Sequence, residues 1–196
     1  HLEKLIELSE KEVKRTQYNH HLNELAQMYL YLFKEAYYVF HEKYNNDLIQ
    51  GFKEMQDRGN LEIITSAATH GYLPLMFTPE AMNAQIAMGV DSYKNFFDKK
   101  PKGIWLPECG FKPELDPILS ENNLKYFISS THGILHADPR PRYGVYAPVY
   151  TPEGIAAFGR DYESSKQVWS ADEGYPGDFN YREFYRDIGY DLDMII

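Results

Sequence analysis

The stretch Gly103-Ile104-Trp105-Leu106-Pro107-Glu108-Cys109-Gly110-Phe111 decides how the chain folds. A short apolar run stops abruptly at a Pro-Glu pair, and a Gly turn follows. That pattern is a buried strand whose carboxyl end delivers one carboxylate, Glu108, into a loop. In α/β sheets and barrels, reactive groups are placed at the carboxyl ends of strands. Glu108 is therefore the candidate reactive group, and the question is whether its surroundings repeat the pattern.

They do, on both sides. Upstream, Leu61-Glu62-Ile63-Ile64-Thr65 is short and β-branched, a strand that runs into the small-residue loop Ser66-Ala67-Ala68-Thr69-His70-Gly71. Thr78-Pro79-Glu80 then starts a helix: Thr as N-cap, Pro at the first position, an acid in the first turn. Its inner face is Met82, Ile86, Val90, Tyr93 and Phe97, and Lys99-Lys100-Pro101 ends it. Downstream, a helix from about Pro113 runs to Asn122-Asn123. The strand Leu124 to Ile128 follows and ends in Ser129-Ser130-Thr131-His132-Gly133. Residues 61 to 133 thus read strand, helix, strand, helix, strand, which is parallel-sheet logic with right-handed crossovers. Each strand ends in polar or reactive groups: Thr69-His70, Glu108, Thr131-His132.

The flanks differ. Residues 1 to 58 are helical: an amphipathic segment to residue 16, a long helix from Leu22 to Phe40 with i, i+3, i+4 apolar spacing, and a third helix through Leu48, Ile49, Phe52 and Met55, capped by Asn45 or Asn46. Residues 137 to 154 are a stiff Pro/Gly-rich excursion. The short strand Ile155 to Phe158 then ends in Gly159-Arg160-Asp161, residues 163 to 169 lead to Trp169, and Tyr181 to Asp187 is a candidate short helix.

Bulk composition narrows the function. With 43% hydrophobic and 15% aromatic residues among 196, this is a packed domain. A net charge of −9 excludes the electrostatic footprint of a nucleic-acid or anionic-membrane binder. No apolar run reaches membrane-span length. One Cys, Cys109, excludes an internal disulfide and a multi-Cys metal site and fits a reducing, cytoplasmic setting. The 17 Tyr mostly suit half-buried helix faces, though Tyr also suits ligands with apolar faces, such as sugars.

Among single residues, Glu108 can be a nucleophile, a general acid or base, or a metal ligand; a capping or ion-paired Glu is the bland alternative. His70 is expected to hydrogen-bond at the site. His132, in the same Thr-His-Gly context, divides evenly between site and structure. Neither has metal-ligand spacing, which also disfavours a polysaccharide deacetylase-like metal site. Arg160, beside Asp161, is placed to pair with Glu108 and keep it ionised, or to form an ordinary ion pair, and both Arg160 and Asp161 are candidate substrate-binding residues. Trp105 reads as core, Trp169 as a stacking surface for a sugar ring, and Cys109 as a small buried residue.

The runs Ala67 to Leu75 and Gly103 to Cys109 resemble two signature regions of glycoside hydrolase family 57. They look most like its 1,4-α-glucan branching-enzyme branch, as do Phe158-Gly159-Arg160-Asp161, Ser164 to Ser170, Gly174 to Asp178 and Tyr181 to Gly189. The resemblance implies a partial (β/α)7 barrel of parallel strands alternating with helices. It implies a retaining mechanism, with Glu108 as the nucleophile that takes the glycosyl unit and an Asp as acid and base. His70 would bind substrate near the scissile bond. The implied substrate is an α-glucan, with no metal or organic cofactor. The alternatives are an α-amylase or 4-α-glucanotransferase of the same family, or a non-catalytic carbohydrate-binding protein on this fold. The family's first His-bearing signature and its acid/base Asp have no match here. Residues 1 to 196 are therefore expected to be part of one catalytic domain, incomplete at both ends and inactive alone. Its open sheet edges would be covered by missing barrel segments or another chain.

Overall fold

A computed structural model describes residues 1–178; the candidate helix at Tyr181 to Asp187 lies outside them. The chain divides into two compact units, His1–Ile63 and Ile64–Ile196.

The first unit is helical. Helix α1 is Leu2–Arg15 and α2 is His20–Tyr38, extended by one wider turn through Lys43. Small buried residues, Ser9 on α1 and Ala26 on α2, permit close approach. Asn23 ties the two helices by donating to the Val13 carbonyl at 2.8 Å. Asn19 caps α2 by accepting from the Leu22 N–H. Helix α3, Leu48–Asp57, is capped by Asp47 rather than Asn45 or Asn46. Those two asparagines take left-handed backbone angles and form the reversal before the cap.

The second unit carries a five-stranded sheet in the order β1-β2-β3-β5-β4. The strands are β1 Thr65–Ser66, β2 Gly103–Trp105, β3 Tyr126–Ser129, β4 Val149–Tyr150 and β5 Ala156–Gly159. β1, β2, β3 and β5 are parallel, and β4 is an antiparallel edge. Helices α4 Pro79–Phe97, α5 Leu115–Glu121, α6 Thr131–Leu135 and α7 Tyr162–Trp169 alternate with them. This is the α/β arrangement expected of a partial (β/α) barrel.

Pairing makes the two faces of the sheet unequal. Ile104, Phe127 and Ala157 are buried on one face with Met82 and Ile86 of α4 and Leu119 of α5. Each such aliphatic side chain stabilises by roughly 1.5–3 kcal/mol when fully buried. The other face carries Trp105, Tyr126 and Phe158, which are half-buried or exposed. Gly89 sets the spacing of α4 on β1: a Cβ there would sit 2.1 Å from the Ser66 carbonyl oxygen.

Two expectations need correction. The strand over 61–65 pairs only from Thr65, because the Ile63 N–H is taken by the Gln56 side chain at 3.2 Å and not by a neighbouring strand. The excursion 137–154 contains a strand, β4, hidden in sequence by its flanking prolines. Its turn is held by Asp116 of α5, a carboxylate only 4% exposed. Asp116 accepts from the Thr151 hydroxyl at 2.5 Å and from the Glu153 N–H at 3.0 Å.

Candidate active site

Because the four main strands are parallel, their carboxyl ends share one edge. The sheet brings His70, Glu108, His132, Arg160 and Asp161 to it.

Glu108 sits in a single tight turn, Pro107–Cys109, directly after β2. Pro107 and Cys109 are buried, whereas Glu108 is exposed, so the turn anchors itself on both sides of the carboxylate. Glu108 and Cys109 both adopt left-handed backbone angles, φ 53° and 55°. For residues with a Cβ this costs roughly 1–2 kcal/mol each, and such strain clusters where geometry serves a site. The turn is closed by the Cys109 N–H donating to the Leu106 carbonyl at 2.8 Å and the Gly110 N–H donating to the Pro107 carbonyl at 3.0 Å. Gly110 lets the loop press against the Tyr72 ring, which a Cβ would meet at 2.3 Å.

The β1 end is tied to the β2 end. Ser66 Oγ donates to the Trp105 carbonyl at 2.9 Å and lies 3.1 Å from His70 Nδ1. A hydroxyl has one proton, and the carbonyl can only accept. Ser66 must therefore accept from His70, which fixes the proton on Nδ1. In the neutral ring, Nε2 is then a bare acceptor, suited to a substrate hydroxyl. His70 is exposed and also left-handed, φ 55°. Gln85 of α4 holds this loop by accepting from the Thr69 N–H at 2.9 Å and donating to the Thr69 hydroxyl at 2.9 Å.

The β3 and β5 ends form a second part of the edge. The Thr131 hydroxyl donates to the Arg160 carbonyl at 2.6 Å, joining them. Asp161 caps α7: its Oδ1 accepts from the Ser164 hydroxyl at 2.6 Å and the Ser164 N–H at 2.8 Å. Those bonds hold its carboxyl below the ordinary aspartate value. The cap starts α7, so its last residue, Trp169, stands over a cleft of about 400 Å³. His132, Arg160, Lys166 and Glu173 also line the cleft. Lys166 is raised above its ordinary value because Glu173 accepts a hydrogen bond from it.

Among the described residues, Arg160 makes no ion pair with Glu108. Its guanidinium lies instead over the rings of Trp169, at 4.8 Å, and Trp105, at 6.0 Å. Trp105 is therefore not simply core. Cys109 is buried, as read from the sequence. Ser66 and Gln85 also belong to the site, holding the His70 loop. No local signal marks them, because each is defined by a partner in another segment, Trp105 for Ser66 and Thr69 for Gln85. Among the described residues no group of three or more His, Cys, Asp or Glu could hold a metal ion.

The sequence pattern of glycosyl hydrolase family 57 matches residues 1–190. The chain belongs to that family. As a family 57 chain it is 37% identical to a 1,4-alpha-glucan branching enzyme of Thermococcus kodakarensis, over 95% of this chain and 31% of the relative. Its fold matches the crystal structure of an alpha-amylase from Thermotoga maritima with a TM-score of 0.90 and 51% identity, covering 99% of this chain and 38% of that one. It also matches a branching enzyme from Pyrococcus horikoshii with a TM-score of 0.80 and 34% identity, over 94% of this chain and 36% of that one. The chain thus spans about a third of the length of these family 57 relatives.

Proposed function

We propose that this chain is the nucleophile-bearing part of a retaining enzyme acting on α-glucan. Glu108 attacks the anomeric carbon of an α-1,4 linkage, and the glycosyl unit passes to a 6-hydroxyl of another glucan, making a branch. The observation that carries this reading is the Glu108 turn: a solvent-facing carboxylate on a strained backbone, anchored by buried neighbours, at the carboxyl end of a parallel strand. A nucleophilic carboxylate needs that rigidity, because misplacement by an ångström costs rate steeply. His70 accepts a substrate hydroxyl through Nε2, Trp169 stacks on a glucosyl ring, and His132 and Arg160 line the same cleft. Asp161 contributes by starting α7. Asp116 is buried under Thr151 and Asp161 caps α7, so neither serves as the acid and base on this reading. Residues 1 to 196 then form part of one catalytic domain, and the acid/base aspartate comes from elsewhere in that domain.

The 6-hydroxyl acceptor is supported by the curated branching-enzyme relatives. A second reading, hydrolysis as in an α-amylase, is supported by the 51% identity to the Thermotoga maritima structure. The full-length protein incubated with linear amylose separates them. New links cut by an α-1,6-specific debranching enzyme indicate branching, and rising reducing ends without such links indicate hydrolysis. Glu108→Gln must abolish both; retained turnover overturns the assignment of the nucleophile.

A further inference from the structure

Arg160 lines the cleft beside Trp169 and also reaches beyond it, to the turn that carries Glu108. Its backbone is fixed on both sides: its N–H donates to the Ser129 carbonyl at 2.9 Å, and its carbonyl accepts from the Thr131 hydroxyl at 2.6 Å. The side chain therefore leaves a pinned point at the end of β5. Its guanidinium meets three groups from three other segments. The Trp169 ring is 4.8 Å away at the end of α7, and the Trp105 ring is 6.0 Å away on β2. Nη1 lies 4.0 Å from Cys109 Sγ, inside the strained turn that presents Glu108. Trp169 itself is 68% exposed, so little packing fixes its ring.

We infer that Arg160 is a positioning residue: its guanidinium clamps the Trp169 ring in register with the Glu108 turn, so that a glucosyl ring stacked on Trp169 is presented to the carboxylate. The inference rests on the proposed function for the identity of the ligand, and it adds how the aromatic wall and the nucleophile are kept at a fixed separation. Planarity matters here, because guanidinium stacks on an aromatic face as an ammonium does not. Arg160→Met keeps an unbranched apolar stem and removes the charged plane. Arg160→Lys keeps the charge and removes the plane.

The test is a double-mutant cycle in the full-length protein on a linear maltooligosaccharide. An exposed to partly desolvated cation–π contact supports a fall of about five- to tenfold in kcat/KM for Arg160→Met. Arg160→Lys should recover part of it. In a Trp169→Ala background, Arg160→Met should cost less than about twofold more, because the ring it positions is gone. Thermal midpoints of all variants are read alongside. Additive losses in the cycle, or a loss that tracks a lowered midpoint, would overturn the inference and leave Glu108 untouched. Turnover retained in Glu108→Gln would instead overturn the functional reading, so the two failures are distinct.

Discussion

The carboxyl ends of β2 and β5 lie on the same sheet edge and are built in opposite ways. After β2 the chain enters a turn with two consecutive left-handed residues and no side-chain cap. After β5 it enters a helix with an aspartate cap, and every residue from Gly159 to Trp169 keeps negative φ. The first end stores strain and presents a carboxylate. The second is relaxed and presents an aromatic wall. On the proposed function Glu108 reacts and must be held to a fraction of an ångström, which favours an over-determined turn. The stacking surface proposed for Trp169 would tolerate more play, and a capped helix suffices.

The most severe way to break this contrast is chemical. Glu108→Gln in the full-length protein should lower kcat by at least about 10³-fold, as loss of a covalent nucleophile does, while the denaturant midpoint stays near that of the parent. Activity assays with urea titrations check both halves.

The next largest effect compares the glycines of the two regions. A Cβ on Gly174 would lie 2.6 Å from the Lys166 carbonyl oxygen and 2.7 Å from that of Ser170, both backbone. A Cβ on Gly110 meets the Tyr72 ring, a side chain exposed enough to swing aside. Gly174→Ala should therefore cost about 2–3 kcal/mol and Gly110→Ala about 1 kcal/mol, within the usual range for overpacking. Urea midpoints that reverse this order would mean the β2 turn is the less yielding region.

A smaller effect has the opposite sign. Glu108→Gly should raise stability by about 1 kcal/mol, because glycine adopts the left-handed angle without the Cβ penalty, while activity is lost. A fall in midpoint would show that the turn is not strained.

The smallest concerns the β5 end and pH. Asp161 has a folded value below its ordinary one, owing to the Ser164 hydrogen bonds. Its contribution is thus present above the ordinary aspartate range and is lost as pH falls through the lower, folded value. Thermal melts of Asp161→Asn should lie slightly below the parent at neutral pH and converge with it in acid.

Much of this was legible from residue pattern alone. The strand-helix alternation over 61–133, the Thr78 cap and the turn after Leu106 are local signals, set by period, capping chemistry and proline. The family resemblance rested on the same short runs. The rest depends on partners distant in sequence. Strand β1 is shorter than its β-branched run because the Gln56 side chain claims the Ile63 N–H. Asn45 and Asn46 look like caps because asparagine suits both caps and left-handed reversals, and only the path of the chain separates the two uses. Strand β4 was hidden by prolines that an antiparallel edge tolerates.

By itself the sequence determined that a carboxylate follows a buried strand, because an apolar run broken by Pro-Glu has few other solutions. It also determined that further polar strand ends exist. Only the tertiary structure decided what those ends do to one another. It puts the His70 proton on Nδ1 through a serine shared with β2. It replaces the expected Arg160–Glu108 ion pair with an arginine laid over two tryptophans. The reason is physical: strand ends are encoded by neighbours in the chain, but the contacts between them are set by sheet register, which no local pattern contains.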